Sequence, residues 1–368
     1  MQKAFDTEVD VVIVGAGFAG LYLLYRLRQL GMSAQVLEMG DSVGGTWYWN
    51  RYPGARCDAE SLAYSFSFSP ELEQQWAWSE RYATQPEILA YAEHVADHFD
   101  LRRDIAFGQK VTSALFDQGH NEWHVLTEQG LEVRARYCVM ATGCLSVPQL
   151  PNIPGLSDFQ GPTYQASLWP PEGVDFSGQR VGIIGTGSSG IQAIPKIAEQ
   201  ATHLTVFQRT PNFSVPAVNK PLDQSWVEQF KNHYREHRKF HKLGLSSGFG
   251  DLEIEPIERT PVAETAEGMS AEQVAQLLDP YWERGGAFFL SAFADTMMNP
   301  ATNALVAEYV RNKIRATVKD PVIAEQLCPS NHPIGTKRIC VDTGYYETYN
   351  RDNVTLVSVA DDAIEAIT

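Results

Sequence analysis

Residues 9–31 read VDVVIVGAGFAGLYLLYRLRQLG, and residues 33–40 continue with SAQVLEMG. The first stretch opens with an apolar run typical of a buried β-strand, passes through a glycine-rich turn, and continues with apolar residues at helical spacing. The second stretch is another short apolar strand. This order of strand, turn, helix of about four turns and strand predicts the start of a βαβ unit.

The same design occurs a second time along the chain. Residues 178–201 read GQRVGIIGTGSSGIQAIPKIAEQA, and residues 203–210 follow with HLTVFQRT. Two such units in 368 residues, a length at which two domains are the usual arrangement, predict an α/β fold with two Rossmann-like dinucleotide-binding domains.

The first copy has the spacing of a dinucleotide-binding turn. Gly15 makes the tight turn, Gly17 lets the backbone approach a pyrophosphate, and Gly20 allows the helix to pack closely on the strand. Phe18 opens the helix, whose N-terminal N–H groups face the phosphates. Glu38, 23 residues after Gly15, predicts a carboxylate that accepts both ribose hydroxyls, so this site is expected to bind the adenosine of FAD or of an NAD-like dinucleotide.

The second copy differs at the position that contacts the ribose. At the same offset it has Gln208 instead of an acid, followed by Arg209 and Thr210. An acid would repel a 2′-phosphate, whereas arginine offers it two planar donors. We therefore expect NADPH here, bound also by the residues of the turn itself, Gly185, Thr186, Gly187, Ser188, Ser189 and Gly190. Two dinucleotide sites favour a flavin that relays hydride from NADPH, and without a CxxC pair a disulfide reductase is disfavoured.

The remaining pattern suggests domain boundaries. Strand-like alternation over residues 101–144 is followed by a proline-rich crossover at 146–155. We predict an FAD-binding domain at 1–147 and an NADPH-binding domain at 148–330 with a helical insertion at about 222–320, inside which residues 252–268 read as a loop. Residues 331–368 are expected to begin a return to the FAD domain.

Composition excludes several classes of partner. The formal charge of −16 and pI near 5.0 argue against nucleic acid, and no apolar run has the ~18 residues of a membrane span. Five scattered cysteines fit neither a disulfide framework nor a zinc site, so no metal is expected and a reducing, cytoplasmic location is predicted. The N-terminus lacks the apolar segment of a signal peptide.

Residues 44–61, GGTWYWNRYPGARCDAES, resemble the Baeyer-Villiger monooxygenases, and the resemblance extends over segments from 80–102 to YYETYNRDNV at 345–354. It implies that the GGTW segment and a downstream tyrosine contact the flavin. Large rings beside an isoalloxazine would supply apolar contact and exclude water. The residues implicated are Gly45, Thr46, Trp47, Trp49 and Tyr64.

The resemblance also implies a reaction. In such enzymes NADPH reduces FAD, the reduced flavin takes up dioxygen, and the resulting C4a-peroxyflavin attacks a ketone to give an ester or lactone. Arg338 of GTKR would supply the permanent cation, Asp58 of GARCD would orient it, and Lys337 would contact the 2′-phosphate of NADPH. Cyclic, linear and aryl ketones all remain possible substrates.

Two features depart from the family pattern. Its linker fingerprint has histidine where this chain has Gln165, between Phe159, Gly161 and Trp169. Family members also continue beyond the segment corresponding to 345–354, so we expect this chain to be a fragment or a shortened product. The alternatives are a flavin monooxygenase acting on soft heteroatoms or hydroxylating amines, and a catalytically impaired nucleotide-binding fragment.

Overall fold

The computed structural model describes residues 7–145, 147–243 and 263–368, which group into two compact units. The first unit comprises residues 1–51, 85–151 and 163–171, and the second comprises 52–84, 152–162 and 172–368. Each unit contains one copy of the repeat. The units do not divide at residue 147, because residues 52–84 group with the second unit. The assignment of whole cofactor domains to 1–147, 148–330 and 331–368 stays a prediction.

The described strands are β1 Thr7–Val14, β2 Ala34–Leu37, β3 Ile105–Ala106, β4 Val111–Asp117, β5 Glu122–Thr127, β6 Glu132–Met140, β7 Arg180–Ile184, β8 His203–Gln208, β9 Ser214–Pro216, β10 Cys340–Asp342 and β11 Val354–Ser358. The helices are α1 Phe18–Gln29, α2 Thr46–Trp49, α3 Pro70–Gln75, α4 Gln85–His98, α5 Ser188–Ala198, α6 Gln224–Asn232, α7 Tyr234–Leu243, α8 Ala271–Arg284, α9 Pro300–Thr317, α10 Pro321–Leu327 and α11 Tyr345–Thr348. Short 3-10 helices occur at Arg102–Asp104, Ala166–Leu168 and Ala287–Ser291.

The first unit is built on a six-stranded sheet in the order β3-β2-β1-β6-β5-β4. The strands β3, β2, β1 and β6 are parallel, and β5 and β4 add an antiparallel meander, as the alternation in residues 101–144 predicts. The buried residues of these strands lie in the second half of β1, the end of β2 and the start of β6, and Val12 and Val133 are completely inaccessible to solvent. The continuous apolar run before Gly15 is therefore the centre of the sheet.

The second unit contains a three-stranded parallel sheet in the order β11-β8-β7 and a parallel pair, β10-β9. The strand at Val354–Ser358 pairs with β8 and extends the second sheet. Residues 363–368 have no regular structure. The described α-helices between residues 222 and 320 are α6 to α9, and their assignment as an insertion stays a prediction. Of the loop expected at 252–268, residues 252–262 lie outside the described part of the chain.

The two copies of the repeat have nearly identical backbones. Gly15 and Gly185 both have φ of +106°. A Cβ atom on Gly20 would lie 2.0 Å from the carbonyl oxygen of Gly15, and one on Gly190 would lie 2.3 Å from that of Gly185. The helices have 12 and 11 residues, about three turns instead of four. The predicted repeat is therefore confirmed at the level of backbone geometry.

Within the described residues, no helix combines the length and the apolar character needed to cross a membrane.

A carboxylate is buried next to the β10-β9 pair. Asp342 is only 6% exposed, and it accepts hydrogen bonds from the Ser214 hydroxyl at 2.5 Å and from the backbone N–H of Tyr345 at 3.1 Å. Burial raises the pKa of Asp342 from 3.8 to about 6, against the opposing effect of these hydrogen bonds.

We expect Asp342→Asn to change the pH dependence of stability. The folded protein holds this proton to a higher pH than the unfolded chain does, so the stabilisation is complete below pH 3.8 and is lost as the pH rises through about 6. The loss amounts to about 3 kcal/mol, and asparagine escapes it. Urea unfolding at pH 4 and pH 7 should show the variant gaining that much relative to the wild type, whereas parallel pH profiles would contradict the prediction.

Candidate functional site

Glu38 of the first unit lies directly at the glycine-rich turn. Its carboxylate is 5% exposed and accepts from the backbone N–H of Ala16 at 2.7 Å and from that of Gly40 at 2.8 Å. Each carboxylate oxygen keeps a further lone pair for a ribose hydroxyl. The position fits the expected contact with adenosine, and the structure adds that Glu38 itself holds the turn in shape.

The GGTW segment packs on the same turn. The Gly44 N–H donates to the Ala16 carbonyl at 3.1 Å, and a Cβ on Gly45 would lie 2.9 Å from Cα of Gly17. The first unit therefore brings together Gly15, Gly17, Phe18, Gly20, Glu38 and Gly45, as the sequence predicts.

The tryptophans of this segment have different environments. Trp47 is 8% exposed, and its carbonyl accepts from the Gln85 side chain at 2.5 Å. Trp49 is half-buried, and its ring makes an edge contact with Tyr48 at 4.9 Å between centroids. Thr46 is exposed. Trp47 is thus mainly a core residue of the first unit, and Thr46 and Trp49 present more surface to a ligand.

Tyr64 belongs to the second unit, where its N–H donates to the Glu60 carbonyl at 2.9 Å. Its contact with flavin stays a prediction.

The turn of the second unit is tied to the segment after β8. Thr186 is buried, and its hydroxyl donates to the Thr210 carbonyl at 3.2 Å. Arg209 is exposed, whereas Gln208 is buried and donates to the Gln326 carbonyl at 2.8 Å. Gln208 therefore turns into the protein, and the exposed Arg209 follows it at the strand end; contact of Arg209 and Thr210 with the adenosine phosphate stays a prediction. The absence of an acid at this strand end fits NADPH.

The predicted pair of Asp58 and Arg338 forms in the second unit. The Arg338 guanidinium donates from Nε to one carboxylate oxygen at 2.8 Å and from Nη2 to the other at 2.5 Å. Desolvation lowers the pKa of Arg338, but the hydrogen bond and the charge of Asp58 outweigh it, so its pKa is raised. The arginine side chain stays 70% exposed. The pair is thus a fixed cation that faces solvent.

Asp58 is positioned through a side chain on α5 that the sequence reasoning did not single out. Gln192 donates to the Arg56 carbonyl at 3.0 Å and accepts from the Tyr52 hydroxyl at 2.9 Å. The segment carrying Asp58 is therefore docked on the helix that follows the second glycine-rich turn. The only sequence signal was the place of Gln192 within the motif GTGSSGIQ.

A buried ion pair fixes the other side of this segment. Arg81 donates to the Glu60 carboxylate at 2.7 Å, with side-chain exposures of 2% and 4%. Arg81 also donates to the Arg284 carbonyl at 2.8 Å, at the end of α8. Sequence spacing gave no signal of this pair, because its partners are joined only by the fold. Removing either residue would leave a buried charge unpaired.

Gln165, which replaces the fingerprint histidine, lies in the first unit. Its Nε2 donates to the Gln149 carbonyl at 3.0 Å. Its Oε1 is buried and has no hydrogen-bond partner among the described residues. The amide is therefore only half satisfied at this position.

Comparisons with known proteins agree with this geometry. A family profile described as Pyridine nucleotide-disulphide oxidoreductase matches residues 12–275. A Baeyer-Villiger monooxygenase of Pseudooceanicola batsensis is 41% identical over 370 residues, which cover 100% of this chain and 66% of that protein.

Two solved structures are similar over nearly the whole chain. One, an oxidized steroid monooxygenase bound to NADP, has a TM-score of 0.91 and 51% identity, covering 98% of this chain and 67% of that one. Another, the OTEMO complex with FAD and NADP, has a TM-score of 0.91 and 38% identity, covering 100% of this chain and 68% of that one. This chain spans about two thirds of the length of these relatives.

The second glycine-rich turn provides a test that separates folding from cofactor binding. A Cβ on Gly187 would meet nothing within 4 Å, and its φ of −81° suits any residue. We expect Gly187→Ala to leave the unfolding free energy unchanged or slightly higher and to weaken NADP⁺ binding about tenfold or more, because the methyl group occupies space that the pyrophosphate needs.

The matched variant Gly190→Ala should destabilise the protein even without NADP⁺, because its Cβ would lie 2.3 Å from a backbone oxygen. We expect it to lower the unfolding free energy by about 1–3 kcal/mol. Urea unfolding and calorimetric titration with NADP⁺ measure the two effects. Equal losses of stability in both variants would refute this interpretation.

Proposed function

This chain belongs to the pyridine nucleotide-disulphide oxidoreductase family and, within it, to the Baeyer-Villiger monooxygenases, and we propose that it converts ketones to esters or lactones with NADPH and dioxygen. The chain has no CxxC pair, which the disulfide reductases of the first family would need. The observation that carries the proposal is the bidentate ion pair between Asp58 and Arg338.

FAD and NADPH are its cofactors, in agreement with the relatives bound to FAD and NADP. Glu38 would hold the FAD ribose, and the GGTW segment would contact the flavin. Arg209, Thr210 and Lys337 would bind the 2′-phosphate of NADPH, and the turn at 185–190 would bind its pyrophosphate. Bound FAD supplies the chemistry that activates dioxygen after reduction by NADPH.

Arg338 supplies the positive charge that this reaction requires. When oxygen adds to a ketone carbonyl, the carbonyl oxygen becomes anionic, and a guanidinium stabilises it without giving up a proton. Asp58 accepts two hydrogen bonds along one edge of that guanidinium, so the cation is fixed in direction before the substrate arrives. Its raised pKa keeps Arg338 charged at any working pH.

Oxidation of a sulfur or nitrogen is less well supported. Such a reaction builds no oxyanion on a carbonyl and gives Arg338 no comparable role. A nucleotide-binding role without catalysis would leave both cofactor sites intact and is distinguished by product analysis. We further propose a small ketone as the substrate. The cytoplasmic location stays a prediction.

The decisive experiment measures NADPH oxidation by the FAD-reconstituted protein with cyclic, linear and aryl ketones, and quantifies ester and hydrogen peroxide separately. Ketone-dependent ester supports the proposal. Peroxide without ester from every ketone would leave two cofactor sites without the proposed chemistry.

Two variants of the cation test its role. We expect Arg338→Leu to reduce ester formation about 100-fold or more, because a charge acting on the transition state is removed. Arg338→Lys keeps the charge but loses the two-bonded contact with Asp58, so an intermediate loss is expected. Arg180→Lys, an exposed arginine at the start of β7, is the control. Wild-type rates in Arg338→Leu would remove the basis for this mechanism.

The fingerprint position gives an independent prediction. Gln165→His would replace a half-satisfied amide by a ring that can both hydrogen-bond and take up a proton near neutral pH. We expect a higher ratio of ester to peroxide per NADPH consumed, measured with the same ketone panel. Gln149→Asn, which keeps the backbone carbonyl that Gln165 contacts, is the control. An unchanged ratio in Gln165→His counts against a role for ionisation here.

A further inference from the structure

Three segments of the second unit hold one another in pairs around Arg338. They are the glycine-rich turn at 185–190, the loop at 209–212 that follows β8, and residues 338–340 that lead into β10. The turn and the loop are expected to bind NADPH, and the third segment carries the cation. We call this arrangement the three-segment ring.

The first link joins the turn to the loop. The Thr186 hydroxyl donates to the Thr210 carbonyl at 3.2 Å, and Thr186 is buried. The loop residue that would meet the 2′-phosphate is therefore fixed through its own backbone to the turn that would meet the pyrophosphate.

The second link joins the loop to Arg338. The side-chain amide of Asn212 donates to the Arg338 carbonyl at 3.2 Å and to the sulfur of Cys340 at 3.2 Å. The backbone continues the contact, since the Cys340 N–H donates to the Phe213 carbonyl at 3.0 Å. The Asn212 side chain thus contacts the main chain of Arg338 and the side chain of Cys340, on either side of residue 339.

The third link closes the ring. The Cys340 sulfur lies 3.3 Å from the Ser188 hydroxyl in the turn. Burial raises the pKa of the Cys340 thiol, so it remains protonated, and hydrogen bonds from Ser188 and Asn212 oppose this only in part. A neutral thiol can donate to Ser188 while it accepts from Asn212.

We propose that Asn212 is a positioning residue that couples occupancy of the NADPH site to the orientation of Arg338. This inference rests on the proposed function, because it assumes that NADPH binds at Arg209 and Thr210. Only Pro211 separates Thr210 from Asn212, and its ring fixes the φ angle at that position. A displacement of Thr210 is therefore expected to displace the Asn212 side-chain amide as well. Any such coupling works in both directions.

The local chemistry of Asn212 suggests a sharp variant. Its Oδ1 accepts from the Phe213 N–H at 3.0 Å, a contact that belongs to the loop alone. Asn212→Asp keeps that acceptor and loses the donor that reaches Arg338 and Cys340. Asn212→Ala loses both. Comparison of the two separates the shaping of the loop from the link to Arg338.

The test is hydrogen exchange of the FAD-reconstituted chain with and without NADP⁺, followed in peptides that contain residues 336–342. In the wild type, NADP⁺ should slow exchange in this segment. In Asn212→Asp, the slowing at saturating NADP⁺, with saturation established for each protein by titration calorimetry, should be reduced at least tenfold. Circular dichroism confirms that each variant is folded.

A second pair of variants tests the same ring without altering the loop. Cys340→Ser keeps a group that donates and accepts, so the slowing should persist. Cys340→Ala breaks the contacts with Ser188 and Asn212, so the slowing should weaken. In turnover at saturating NADPH, Asn212→Asp should lower the ratio of ester to peroxide at least fivefold.

The outcomes separate the two proposals. If NADP⁺ fails to slow exchange at 336–342 in the wild type, or slows it equally in Asn212→Asp, the coupling through Asn212 is overturned. If the exchange results are as expected but no ketone yields ester, the coupling stands and the proposed function fails.

Discussion

Both cofactor sites depend on a close approach between the glycine-rich turn and the first turn of the helix that follows it. At Gly20 and Gly190 this approach leaves no room for a side chain. A Cβ atom on the last glycine of each turn would lie only 2.0 Å from the carbonyl oxygen of the first glycine in one copy and 2.3 Å in the other. This approach directs the free N–H groups at the helix start towards the place where a pyrophosphate binds.

In the second unit the same turn also anchors the segments that carry the Asp58–Arg338 pair. Asp58 and Arg338 are separated by 280 residues, and neither lies in the turn. Gln192, one helical turn beyond Ser189, docks the segment of Asp58, and Thr186 and Ser188 connect to the loop and the strand that hold Arg338. A rigid nucleotide-binding element thus serves as the reference for both members of the pair. A cation held in this way loses little freedom when a substrate anion forms.

In each unit, several polar side chains are hydrogen-bonded to main-chain donors or acceptors. Glu38 accepts two backbone N–H groups, Arg81 donates to the Arg284 carbonyl as well as to Glu60, and Asn212 donates to the Arg338 carbonyl. Hydrogen bonds to the main chain fix the path of the backbone. They do not depend on which side chain the residue providing the backbone group carries. They also make each of these residues costly to replace, because the backbone partner would remain without a hydrogen bond.

The sequence by itself determined the fold class, the repeat and the positions of the two turns, because strands, glycine spacing and helix periodicity are local properties. It also indicated Asp58 and Arg338, through resemblance and not through spacing. Only the tertiary structure showed that Gln208 turns inward, that the strand at Val354–Ser358 extends the second sheet, and that Gln192 and Asn212 hold the pair in place. These facts depend on contacts between segments far apart in the chain, and a side chain's periodicity carries no information about which distant carbonyl it will meet.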